Sequence, residues 1–130
     1  MTGCSPIRGA IEVAGPGAGR PRITMRVGAD EPILAGHFPG LPIFPGVAVV
    51  EFVRRGALAT LAEPSRPGRR WVLSGIGSVR FLAPVFPGDI LTAELSWSGE
   101  GTTRRCAASV TTGRGEVARA KLTFTERGAA

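Results

Sequence analysis

The sequence predicts an α+β domain in which one apolar helix is wrapped by a curved antiparallel sheet. Three observations predict it. Residues 46–63 place apolar side chains at helical spacing and are apolar nearly all round over three turns, which requires a helix covered by other elements. Residues 71–125 alternate apolar and polar positions with period two, the mark of strands with one wet and one buried face. Ahead of the helix, a loop from Gly36 to Gly46 carries three prolines and three glycines around the chain's single histidine, His37.

The elements follow in order. Residues 1–6 read as a loose tail, Ile7 to Val13 as a weak strand, and Ala14 to Pro21 as a Gly/Pro turn. Arg22 to Val27 alternates with β-branched residues and predicts a strand. Gly46 opens the helix, with Val47, Val50, Arg54, Ala57, Leu58 and Leu61 marking one face and Val49, Phe52 and Val53 widening it; Pro64 to Gly68 stops it. Trp71 to Ala83 is a long strand interrupted by Gly75 and Gly77. Ile90 to Ser98, Thr102 to Thr112 and Glu116 to Thr125 then form a meander joined by Gly99–Gly101 and Gly113–Gly115, and residues 127–130 read as a second loose tail. One helix and one single-faced sheet must bury each other, so residues 1–130 read as a single domain.

Composition narrows the class. With 43% hydrophobic and 20% charged residues the chain is globular rather than disordered. Cys4 and Cys106 form neither a disulfide framework nor a metal-ligand spacing, and no run approaches the roughly 18 apolar residues of a membrane span. A cytoplasmic protein without a membrane segment, metal or cofactor is the expectation. Net charge is +6, with fifteen arginines and one lysine, Lys121, but the arginines are scattered in pairs and no nucleic-acid motif accompanies them. A basic surface favours nucleic acid, anionic lipid or an acidic protein, and the charge alone does not choose among them.

The chemistry concentrates in one stretch. Proline fixes φ and glycine permits close backbone approach, so the loop can hold His37 rigidly without regular structure. Imidazole, with an unperturbed pKa near ~6.5, is mostly free base at neutral pH. Glu51, between Val49-Val50 and Phe52-Val53, sits where desolvation favours the neutral acid. A base and an acid with divergent environments are what proton-transfer catalysis requires. The plainer alternatives are a structural histidine, a salt-bridged Glu51, a Gly46 present only for the turn, and an Asp89 that serves the turn after Pro87-Gly88. Trp71 and Trp97 read as core or interface anchors.

His37-Phe38-Pro39-Gly40-Leu41-Pro42-Ile43-Phe44-Pro45-Gly46-Val47, with Glu51 fourteen positions after His37, resembles the 3-hydroxyacyl-acyl-carrier-protein dehydratases of hot-dog fold, the FabZ/FabA type. Arg80-Phe81-Leu82-Ala83-Pro84-Val85-Phe86-Pro87-Gly88-Asp89 is similar to that family's strand–turn–strand after the helix. The resemblance implies that His37 removes the C2 proton of a carrier-bound 3-hydroxyacyl thioester. Glu51 would protonate the departing C3 hydroxyl, directly or through water. The Gly46 backbone N–H would polarise the thioester carbonyl from the helix start, where unpaired N–H groups favour negative charge. It further implies a site shared across a homodimer or a heterodimer of related subunits, with Phe38, Pro45 and Arg55 lining the substrate.

An acidic acyl carrier protein would be the partner, met by Arg69, Arg70 and Arg80. The family's helix commonly has glutamine four positions after the acid, where this chain has Arg55, and the family's aromatic- and proline-rich N-terminal segment is not visible in residues 1–20. These departures suggest a specialised pathway enzyme, with a silent partner subunit or a hot-dog thioesterase as the other readings.

Overall fold

The computed structural model describes residues 10–14, 20–28, 46–61, 64 and 67–128. Six strands and one helix follow in the order β1 (Glu12–Ala14), β2 (Arg22–Arg26), α1 (Gly46–Thr60), β3 (Arg69–Phe81), β4 (Ile90–Ser98), β5 (Thr103–Thr112) and β6 (Gly115–Gly128). All pair antiparallel in one sheet of order β1-β2-β4-β5-β6-β3. The α+β reading and the meander hold, and β4 has the predicted bounds. The strand after the helix does not pair with its sequence neighbour. It crosses the sheet to lie beside β6, leaving β3 as one edge and β1 as the other.

The alternation that predicts the strands also selects the buried face. Leu91, Ala93 and Leu95 of β4, Cys106, Ala108 and Val110 of β5, and Ala118, Ala120, Leu122 and Phe124 of β6 point inward. Against them α1 buries Ala48, Val49, Phe52, Val53, Gly56 and Ala57. Each fully buried Phe or Leu in such a core contributes about 1.5–3 kcal/mol. This helix face differs from the one the spacing suggests, since Val47 is 62% exposed. The first turns are apolar on every side, so periodicity alone leaves two candidate faces. Ile23 of β2 decides between them: a Cβ on Gly56 would lie 1.9 Å from Ile23 Cδ1, so only glycine lets strand and helix approach.

Two further differences concern ends. β3 begins at Arg69, and β6 continues through Arg127 and Gly128, which pair with Arg70 and Arg69; these two residues are strand rather than loose tail. The reason is Arg69, whose Nε donates to Glu126 Oε1 at 3.1 Å and whose Nη2 donates to the Glu126 carbonyl at 3.1 Å. β3 is not interrupted at Gly75 and Gly77 but absorbs two register irregularities there, between Leu73 and Gly75 and between Ile76 and Ser78. The expected tails 1–6 and 129–130 lie outside the described residues.

Both tryptophans anchor elements. The Trp97 ring lies 5.8 Å from that of Phe124 and its Nε1 donates to Thr60 Oγ1 at 3.2 Å, tying β4 to the end of α1. Trp71 lies under the Arg104 guanidinium at 5.5 Å. Asp89 does the turn work expected of it. Its Oδ2 accepts from the Phe86 N–H at 2.8 Å, and Arg114 donates to both carboxylate oxygens, at 2.7 and 2.6 Å. The hydrogen bond from Arg114 is the largest cause holding the Asp89 carboxyl below its ordinary pKa. Burial pushes the Cys106 thiol up to about 12, so it is an inert core residue.

Candidate active site

The site is built from the first two turns of α1. Gly46 begins the helix, and a Cβ there would stand 2.6 Å from Cζ of Phe81, the last residue of β3. The backbone at position 46 and the Phe81 ring therefore share one space, and a side chain at position 46 would displace the ring. Val47, Phe81 and Leu82 are exposed apolar residues near this point. The first N–H groups of any helix lack intrahelical acceptors, so an electron-rich oxygen is favoured here.

Glu51 lies one turn on. It does not face the sheet: α1 turns Ala48, Val49, Phe52 and Val53 that way, and Glu51 shares the opposite side with Val47 and Arg54. Its side chain is nevertheless only 13% exposed. Arg54, three residues later, donates from Nε to Oε1 at 2.8 Å and from Nη2 to Oε2 at 2.8 Å. Both carboxylate oxygens are thus held by one guanidinium, which is itself 36% exposed. The hydrogen bond to Glu51 is the largest cause raising Arg54 above its ordinary pKa, ahead of the opposing effect of burial.

His37, Phe38 and Pro45 lie outside the described residues. Arg55 is half-buried, next along the helix. Arg69 holds Glu126 at the start of β3, while Phe81, beside Gly46, ends the same strand; twelve strand steps separate them, roughly 40 Å when extended. Arg70 and Arg80 are exposed. Arg80 lines a cavity of about 400 Å³ on the outer face of the sheet with Arg20, Ser78, Ser96, Arg119 and Lys121. The sheet therefore separates Arg80 from Glu51.

Sequence reasoning missed Arg54 and Phe81. The i,i+3 spacing to an acid is a signal for the first, since such residues are neighbours on a helix surface. Nothing local signals the second, because Phe81 meets Gly46 only through the fold.

A family model described as ApeI dehydratase matches residues 17–120 of this chain. The chain belongs to the ApeI-like dehydratase family. Its curated relatives include 3-hydroxyacyl-[acyl-carrier-protein] dehydratases FabZ. That of Desulforamulus reducens is 40% identical over 100 residues, 75% of this chain and 70% of the relative. That of Symbiobacterium thermophilum is 44% identical over 70 residues, 53% of this chain and 49% of the relative, so the match spans about half of that protein. Among solved structures, the dehydratase heterocomplex ApeI:P from Xenorhabdus doucetiae aligns with TM-score 0.70 at 23% identity, covering 92% of this chain and 99% of that one. The fluoroacetyl-CoA thioesterase FlK aligns with TM-score 0.72 at 18% identity, covering 84% of this chain and 85% of that one. At such identities these likenesses establish the fold, and this ApeI-like chain has the hot-dog fold.

Proposed function

We propose that the chain is a dehydratase that eliminates water from a 3-hydroxyacyl thioester carried on acyl carrier protein, giving the 2-enoyl thioester, in fatty acid or polyketide assembly in the cytoplasm. The observation that carries the reading is Glu51: a largely buried carboxylate on the side of α1 turned away from its own sheet, fourteen residues after His37, in a chain of a dehydratase family. His37 takes the proton at C2, Glu51 faces the C3 hydroxyl, and the Gly46 N–H meets the charge that develops on the thioester oxygen.

An acid that faces away from its own sheet suits a site completed by a second subunit. β3 offers the surface: it is an edge strand of thirteen residues with Ile76 and Phe81 exposed. An edge of that length with no described strand beyond it invites pairing, so we infer a homodimer, or a heterodimer with a related hot-dog subunit, joined along Ser74–Phe81. Arg70 and Arg80 are free to meet an acidic carrier, whereas Arg69 is engaged by Glu126.

The test is to mix purified protein with a (3R)-3-hydroxyacyl carrier thioester and follow the mass. Loss of water supports the dehydratase. Release of free acid would replace it with a thioesterase, and no change would favour the silent-subunit reading, which the Arg54 clamp on Glu51 makes specific. Light scattering on the active fraction checks the dimer; a fully active monomer would defeat the shared site.

A further inference from the structure

The resemblance assigns no role to Arg54, which binds both carboxylate oxygens of Glu51. We propose that Arg54 is a positioning residue: it holds Glu51 as an oriented carboxylate that accepts the substrate's hydroxyl hydrogen bond, while the proton that leaves with that hydroxyl is the one His37 has just taken from C2. This rests on the dehydratase reading and changes the role that the resemblance gives to Glu51.

The argument is geometric. Two charge-assisted hydrogen bonds of 2.8 Å run from one guanidinium, one to each oxygen of Glu51. Protonating either oxygen removes its acceptor role toward Arg54 and leaves a half-buried cation without its full partner, which is unfavourable. Burial alone would favour the neutral acid, but an opposite charge in direct contact favours the ionised form. Arg55 is the next charge on α1. The strands packed on the far side of the helix turn mainly apolar residues inward; their inward charges are Glu126, paired with Arg69, and Arg104, over Trp71. His37 is the other titratable group of the proposed site.

The proton route balances. Imidazole takes the C2 proton, the C2–H electron pair forms the C2=C3 double bond, and the C3–O pair leaves with oxygen. The imidazolium returns its proton to that oxygen, water departs, and histidine is again neutral. Glu51 is ionised at the beginning and the end, and no outside acid is needed.

Two measurements decide it. Infrared difference spectra between the wild-type protein labelled with [13C]glutamate and its Glu51→Gln variant report the ionisation of Glu51 without substrate. Between about pH 5 and pH 8 the wild type should show only the carboxylate band, and Arg54→Ala should show a carboxylic-acid band in the acid half of that range. A protonated Glu51 in the wild type at neutral pH, or identical spectra with and without Arg54, overturns the proposal. In turnover, Arg54→Ala should lower kcat at neutral pH by about tenfold or more with little change in KM, move the acid limb of the pH profile upward, and recover in part as Arg54→Lys. If Glu51 supplied the proton, the same variant would be faster at neutral pH and would slow as pH rises. A wild-type protein that releases no water overturns the dehydratase reading and with it the proton route. An ionised Glu51 in that same protein would identify the dehydratase reading as the part that failed.

Discussion

Glu51 and Glu126 are both largely buried acids held by an arginine, and they do different work. Glu126 is 1% exposed and its partner Arg69 also grips its backbone carbonyl, so the pair crosslinks β6 to β3. Glu51 and Arg54 lie on one helix, three residues apart, so the bonds between them stay within α1. A buried ion pair is weak support for function by itself. What separates the two is what each pair would release if broken: a strand end in one case, a carboxylate beside the helix start in the other.

The largest expected effects test that separation. Glu51→Gln should lower turnover by about 10²–10⁴-fold with a smaller loss of stability than Glu126→Gln, because the amide cannot carry the charge that Arg54 orients. Glu126→Gln should do the reverse, losing about 1–3 kcal/mol of stability with kcat of the folded fraction intact. In a Cys4→Ser background, thiol labelling of buried Cys106 reports the folded fraction during both assays. A Glu126 variant that lost turnover without losing stability would merge the two classes.

Gly46 and Gly56 make the same comparison within α1. Gly56→Ala should destabilise by about 1–3 kcal/mol, outweighing alanine's better helix propensity, since Ile23 is fully buried and has nowhere to move. Gly46→Ala should melt close to wild type, because the Phe81 ring it displaces is 56% exposed, while turnover falls. Calorimetry and steady-state kinetics on the two variants are sufficient.

Asp89 extends the comparison to an acid in a turn. Its folded-state pKa lies below the ordinary 3.8, chiefly through Arg114, so its contribution is fully present above that value and is lost as pH falls below it towards the folded pKa. Asp89→Asn should therefore flatten the acid arm of a stability-against-pH curve and leave neutral turnover unchanged. The smallest effect concerns docking. Exposed charges contribute about 0.2–1 kcal/mol each, so the double change Arg70→Glu, Arg80→Glu should raise KM for a carrier-bound substrate severalfold and reduce its salt dependence. KM for a short thioester without the carrier should hold.

The strands were legible in the sequence because alternation is local: Leu91, Ala93 and Leu95 declare their face without help. The pairing of β3 with β6 was not, since strand order depends on which distant faces bury each other. The buried face of α1 was ambiguous for a related reason, as Val47 and Val49 are equally apolar and only Ile23 against Gly56 chooses between them. At the site, Glu51 stood out as a lone acid in an apolar run. The meaning of Arg54 did not, because spacing shows that it can reach Glu51 but not that it binds both oxygens.

The sheet order has a consequence for how a new chain is made. Synthesis delivers α1 and β3 before β4, β5 and β6, yet β3 pairs only with β6, and α1 packs on β6 as well as on β1, β2 and β3. The backbone of β3 awaits that of β6, with Leu73 opposite Phe124, so part of the helix and one whole strand have no wall while the intervening residues are still being added. Non-local closure of this kind slows folding and leaves apolar surface open to other chains in the meantime. Of the six described strands, the latest made is the one that completes the wall around the helix, so a truncation within β6 should leave α1 and β3 without their partners.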